Sequence, residues 1–247
     1  MAIKTTLNYS PNFNSKKRNI KQIRFIVLHY TGMKNESEAI NKLTNIQSEV
    51  SCHYLIKKSG EIIKMVPESY SAWHAGKSSW GSYKSLNKNS IGIEITNSGH
   101  EFNYRKFTKK QISSLLKLSK FLIKKYRINL KNILGHSDIA PERKKDPGEK
   151  FPWKLLSQNR IGLWHTVKKK ELIKSRKIRT TKTEKELFFN NLFKMGYSKK
   201  FPIEVSKKKY LSYIVKAFQR RYRQDLVDGE IDQECLLINQ NLVKKFH

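Results

Sequence analysis

Cysteine is nearly absent from this chain of 247 residues, which holds only Cys52 and Cys235. The two fall in what read as different domains, so neither a disulfide framework nor a cysteine-rich zinc site holds the fold. Acidic residues are scarce as well: 20 Asp and Glu stand against 51 Lys and Arg, a formal net charge of +31. A field of that sign attracts polyanions and raises their encounter rate. It admits nucleic acid, an anionic polymer or a membrane surface as partners, and a lysine-rich composition accounts equally well for much of the excess. No nucleic-acid-binding module is recognisable, so no specific nucleic acid is expected. Long apolar runs are missing too. Residues 1–8 carry nothing that would serve as a signal peptide or a spanning helix. The expectation is therefore no membrane span, and a chain that starts in the cytoplasm unless export uses another route or a leader outside this sequence.

What is present suffices for one large domain or two smaller ones, with ample aliphatic and aromatic residues for a core. Residues 23–29 form a continuous apolar run that suits a buried strand. Asn35 and Glu38 open a helix in capping-box fashion, with Ala39, Ile40, Leu43, Ile46 and Val50 as its apolar positions. Residues 53–66 read as a hairpin turning at Lys58-Ser59-Gly60. Ile91, Ile93 and Ile95 alternate with Gly92 and Glu94, a strand that sets Glu94 on the face opposite the isoleucines. Thr108 and Gln111 cap a second helix, with Ile112, Leu115, Leu116, Leu122 and Tyr126 on one side. This mixture predicts an α/β domain with a central mixed β-sheet flanked by helices.

Residues 166–184 hold eight basic residues and little apolar periodicity, the pattern of an exposed basic linker with room for a short helix. Beyond it Phe188, Phe189, Leu192 and Phe193 mark a helix that Gly196 can end. Leu211, Ile214, Val215, Phe218 and Tyr222 mark another. After an Asp228-Gly229 turn, Asp232 can cap a third carrying Leu236, Leu237, Leu242 and Val243. The expected organisation is thus residues 1–165, a linker at 166–184 and a small three-helix domain at 185–247.

Two imidazoles and a carboxylate, His29, His136 and Asp146, are the right number and kind of ligands for a catalytic zinc, which takes three protein ligands and leaves a fourth position for water. Spacing alone does not select them, since a chain with seven histidines offers many such triples. The surrounding residues do. Ile26-Val27-Leu28-His29-Tyr30-Thr31-Gly32, Val50-Ser51-Cys52-His53-Tyr54-Leu55-Ile56, Ala72-Trp73-His74-Ala75-Gly76, Ser90-Ile91-Gly92-Ile93-Glu94-Ile95 and Gly135-His136-Ser137-Asp138-Ile139-Ala140-Pro141 running on to Asp146-Pro147-Gly148 stand in order. Over roughly residues 8–165 the chain resembles the zinc-dependent type 2 N-acetylmuramoyl-L-alanine amidases, which share a fold with the peptidoglycan recognition proteins. That family cuts the amide between the lactyl group of N-acetylmuramic acid and the first L-alanine of the stem peptide. The resemblance implies one Zn2+ per chain on His29, His136 and Asp146. It implies Glu94 as proton shuttle and Lys144 as oxyanion stabiliser, the latter chosen over Lys145 by its spacing to Asp146. It leaves His53 structural, and His100, His165 and His247 without a motif.

Trp73 and His74 are expected to line the cleft, the indole against sugar or peptide and His74 hydrogen-bonding a muropeptide carbonyl. The tail, through Ala217-Phe218-Gln219-Arg220-Arg221-Tyr222-Arg223 and Asp228-Gly229-Glu230-Ile231-Asp232, resembles the small three-helix peptidoglycan-binding domain, although Cys235 stands where that family usually has threonine. A non-catalytic peptidoglycan recognition protein is the competing function, against which all three ligands are retained. Substrate is expected to be peptidoglycan or a muropeptide. A wall-binding tail points to the polymer in the envelope, the N-terminus to soluble anhydro-muropeptides in the cytoplasm. Nothing in the sequence selects an oligomeric state.

Overall fold

The computed structural model describes residues 3–246; of the positions read above, Met1, Ala2 and His247 lie outside that range. In chain order the strands are β1 (Thr6–Leu7), β2 (Phe13–Asn14), β3 (Phe25–Tyr30), β4 (Tyr54–Ile56), β5 (Ile62–Lys64), β6 (Ser71–Ala72), β7 (Ser79–Trp80), β8 (Tyr83–Lys84), β9 (Ser90–Ile95) and β10 (Ile133–Gly135). The helices are α1 (Glu36–Thr44), α2 (Lys109–Tyr126), α3 (His136–Ile139), α4 (Trp153–Gln158), α5 (Lys169–Ser175), α6 (Lys182–Met195), α7 (Lys207–Tyr222) and α8 (Gln233–Val243). Six strands make one sheet in the order β1-β5-β4-β9-β3-β10. Only β4 and β5, the expected hairpin, pair antiparallel in it; every other pair is parallel. None of the described helices is long and apolar enough to cross a membrane.

Alternation along the strands sorts side chains onto two covered faces. Ile26 and Leu28 of β3, Ile91, Ile93 and Ile95 of β9 and Ile133 of β10 pack against Ile112, Leu115, Leu118 and Leu122 of α2 and Trp153 and Leu156 of α4. Each such aliphatic side chain, wholly removed from water, contributes roughly 2 kcal/mol. A complete capping box between Thr108 and Gln111 starts α2. On the opposite face α1 covers Leu55 and Ile63 with Leu43. Beside it, Phe25, Val27, Leu134 and Ile139 join Phe188, Leu192, Ile214, Phe218, Tyr222 and Leu242 in one continuous core.

That shared core differs from the self-contained core that a free-standing three-helix domain would have. The apolar residues of α6–α8 pack in one cluster with the Phe25–Val27–Leu134 stripe, together with Trp80, Leu86 and Ile139. The basic segment before them does not swing free either. Arg176 pairs with Glu234 of α8 at 2.6 Å, Lys177 N–H donates to Asp232, and Gln233 N–H donates to the Ile178 carbonyl. A correction concerns α1, which stops at Thr44 and excludes Ile46 and Val50. The Asn45 side chain accepts from Gln47 N–H and starts a separate short turn, a local bond that competes with continuing the helix.

Candidate metal centre

The carboxyl ends of the central parallel strands β9, β3 and β10 bring the site together, the edge at which open α/β sheets place their ligands. His29 is the penultimate residue of β3 and pairs across the ladder with Glu94 of β9. Gly135 of β10 pairs with Leu28, so the next residue, His136, stands level with His29. Asp146 arrives on the loop after α3, tied back by Ser137 N–H donating to its carbonyl at 2.9 Å. The three side chains are buried, and a donor atom from each lies within 4.8 Å of the others, a set that could hold a metal ion. Asp146 Oδ2 is 2.9 Å from His29 Nδ1 and 3.1 Å from His136 Nδ1, and the two Nδ1 atoms are 2.9 Å apart.

Hydrogen bonds behind the rings decide which nitrogen carries a lone pair. Ser90 Oγ–H donates to the Leu86 carbonyl at 2.6 Å, so its oxygen accepts from His74 Nε2–H at 3.0 Å. His74 Nδ1 is then the acceptor, and His29 Nε2–H donates to it at 3.1 Å. His29 Nδ1 is left with its lone pair facing Asp146. Likewise His136 Nε2–H donates to the Ala75 carbonyl at 3.2 Å, leaving Nδ1 unprotonated. Two lone pairs and a carboxylate facing one another at about 3 Å repel unless a cation lies between them, so the donor set fits a divalent metal with imidazole and carboxylate ligands. Burial, followed by the neighbouring His136, lowers the pKa of His29, which favours the neutral ring a metal needs. Burial alone would raise the pKa of Asp146; its place beside the His136 and His29 rings outweighs that and holds the carboxyl well below its ordinary value.

A cleft of about 300 Å³ opens over these residues, lined by Glu94, Lys144, Lys145, Arg143, Trp73 and Lys42 among others. Glu94 lies on its floor, on the face opposite Ile91, Ile93 and Ile95, with Oε2 buried and unpartnered. Burial raises its carboxyl to about 7, Asp146 adding to the rise while His29 and Lys144 oppose it. Trp73 forms part of the wall, its Nε1–H donating to Asn14 at 2.6 Å. For His74 the expected contact with a substrate carbonyl does not survive: both ring nitrogens are engaged inside the protein, at His29 and Ser90. His53 also has its nitrogens occupied, by Gly92 N–H and by the Tyr70 carbonyl, and is no ligand.

The sequence of N-acetylmuramoyl-L-alanine amidases as a family matches residues 19–149. The chain belongs to that family. AmiD of Escherichia coli K12, an N-acetylmuramoyl-L-alanine amidase, is 34% identical over 91% of this chain and 84% of its own length. The solved complex of that E. coli protein with the substrate anhydro-N-acetylmuramic acid-L-Ala-D-gamma-Glu-L-Lys superposes with a TM-score of 0.79 at 32% identity, covering 94% of this chain and 92% of the other. AmpDh3 of Pseudomonas aeruginosa, solved with anhydromuramic pentapeptide, gives a TM-score of 0.78 at 31% identity over 98% of each chain. Likeness on that scale covers the C-terminal helices as well as the sheet.

Sequence reasoning missed several residues of this amidase cleft. His100, which has no motif, stands on the rim, with Nδ1 2.8 Å from Tyr30 Oη and Nε2 3.0 Å from Glu149. Arg143 reaches under the cleft to the carbonyls of Ala75 and Lys77, so the acceptor of His136 Nε2–H is itself held by a cation. Ser90 closes the line of bonds behind His29. None of the three carries a spacing signal, because their partners are set by the fold and not by neighbours in the chain.

Proposed function

We propose that this amidase hydrolyses the amide between N-acetylmuramic acid, or its anhydro form, and L-alanine with one zinc ion held by His29, His136 and Asp146. What carries the reading is the convergence of two Nδ1 lone pairs and the Asp146 carboxylate at about 3 Å. When bound, zinc polarises the scissile carbonyl and lowers the pKa of a water molecule toward 7. The other parts are the chain's own. Glu94 takes the proton of the attacking water and delivers it to the departing nitrogen; a carboxyl whose pKa lies near neutrality suits both directions. Lys144 sets its ammonium at the cleft wall, where charge develops on the tetrahedral carbon's oxygen. Trp73 offers an aromatic wall to sugar or peptide. His74 acts from behind, fixing the tautomer and angle of His29 through Ser90.

The same proposal takes residues 1–165 as the catalytic unit, 166–184 as the connecting segment and 185–247 as a peptidoglycan-binding unit. Support for the last is the three-helix build of α6–α8 around the Asp228-Gly229 turn. Incubating the zinc-loaded protein with anhydro-N-acetylmuramyl tripeptide and following products by mass spectrometry tests the activity. Free tripeptide with an N-terminal alanine is expected, and its appearance should stop on chelation. Intact substrate, with the ligand bound and unreleased, would favour a recognition protein instead. Retention on insoluble sacculi at about 0.5 M salt, where the field of +31 charges is screened within a few ångströms, tests the tail.

A further inference from the structure

The carboxylate two residues after His136 is gripped from the C-terminal helices. Asp138 Oδ2 accepts from Gly135 N–H at 2.8 Å and from Arg221 of α7 at 2.5 Å, and Oδ1 accepts from Tyr197 Oη–H, just beyond α6, at 2.8 Å. Arg221 also donates from its second nitrogen to the Ile133 carbonyl at 2.7 Å, so one guanidinium spans the backbone on both sides of Gly135. Asp138, Arg221 and Tyr197 are each no more than 2% exposed. The Arg221 guanidinium lies 4.4 Å from the Trp153 ring centre, and that same indole closes on Gly135, where an added Cβ would meet Pro147 at 2.8 Å and Trp153 at 3.3 Å. His136 therefore stands on a short segment held on one side by the sheet and on the other by the tail.

We propose that Arg221 and Tyr197 are positioning residues of the metal centre, which fix the Gly135–Asp138 backbone and through it aim His136 Nδ1 at His29 and Asp146. The inference rests on the reading of His136 as a zinc ligand. It makes the C-terminal helices part of the catalytic apparatus, over and above any contact they make with the wall. A buried ion pair broken on one side leaves an uncompensated charge, and movement of Asp138 toward new partners or water draws α3, and with it His136, out of place. Partners of metal ligands change metal affinity by about 10–100-fold when removed.

The test measures zinc affinity of the full-length protein by competition with a chelating indicator. Arg221→Met is expected to weaken zinc roughly 10–100-fold and Tyr197→Phe roughly three- to tenfold, and both should lower kcat at saturating zinc with little change in KM. Tyr197→Phe removes one hydroxyl without opening a charge, so it remains informative if Arg221→Met fails to fold. Arg176→Met breaks an ion pair between the connecting segment and Glu234 of α8 and serves as control: its zinc affinity should stay at the wild-type value. A folded Tyr197→Phe with wild-type affinity, beside a His136→Ala that has lost zinc, would overturn the clamp and leave the ligand assignment standing. Equal weakening in Arg176→Met would also overturn it, by reducing the effect to general destabilisation. Wild-type zinc binding in His136→Ala would instead remove the ligand reading and the inference with it.

Discussion

Replacing Glu94 with glutamine removes one ionisable group from the cleft floor and leaves its shape nearly unchanged. Burial, aided by Asp146, lifts this carboxyl from 4.5 to about 7 in the metal-free protein. At about 1.4 kcal/mol per pH unit, that rise corresponds to roughly 3 kcal/mol opposing ionisation in the fold. The folded pKa lies above the unfolded one, so below about pH 4.5 both states are protonated and the group costs nothing. The cost grows as pH rises toward 7 and is complete above it. Metal-free wild type should therefore lose roughly 3 kcal/mol relative to Glu94→Gln between pH 4 and pH 8, the variant being the more stable at the higher pH. Urea unfolding of both chelator-treated proteins at the two pH values reads the difference, in which titrating groups remote from Glu94 cancel. A stability difference that stays flat with pH would refute the buried-carboxyl reasoning. In the zinc-loaded enzyme the same variant should keep its metal and lose roughly two or more orders of magnitude in rate. Near-normal turnover would remove Glu94 from the mechanism.

His29→Ala should abolish both activity and tight zinc binding by metal analysis, while chelation of the wild type should remove activity and leave far-UV circular dichroism largely intact, because the core on both faces of the sheet is independent of the site. Lys144→Ala should retain zinc and lower kcat more than it raises KM in steady-state kinetics, since its charge acts on the transition state. Ser90→Ala should leave His74 Nε2 unpaired and weaken zinc by about tenfold in indicator competition. A chain ending near residue 180 should be poorly soluble and low-melting in thermal unfolding, because it uncovers Phe25, Val27, Leu134 and Ile139 and strips Asp138 of Arg221 and Tyr197.

The sheet and its two-faced strands were legible because alternation is a local signal. Ile91, Ile93 and Ile95 announce one covered face within six residues, and the structure covers them with α2. Capping at Thr108 and Gln111 is equally local. Docking of the tail was not legible, since Arg221 and Asp138 stand 83 residues apart and each, read alone, is one more surface charge in a highly charged chain. The segment from Ala217 to Arg223 reads as a mark of a wall-binding fold, yet its side chains mostly face inward. Gln219 holds the turn at Asp228 and Gly229, Arg223 pairs with Asp228 and Asp232, and Arg221 reaches the catalytic sheet. In this chain the segment thus carries internal bonding, and these side chains are not available as a binding surface.

Strand β9 carries two messages in one alternation. Its isoleucines state where the core is, and its other face holds Ser90, Gly92 and Glu94, three residues whose small size or charge suits no core. The reason lies across the sheet. A Cβ on Gly92 would come within 2.3 Å of the His74 ring, so only glycine lets that ring lie flat on the strand between His29 and Ser90. Ser90 then ends the line of hydrogen bonds that sets the His29 tautomer, and Glu94 meets His29 across the ladder. The gap left by one missing methyl group is therefore a condition of the ligand geometry. Gly92→Ala should displace His74, release His29 from its fixed tautomer and weaken metal binding, although position 92 is neither in the His29–His136–Asp146 set nor on the lining of the cleft.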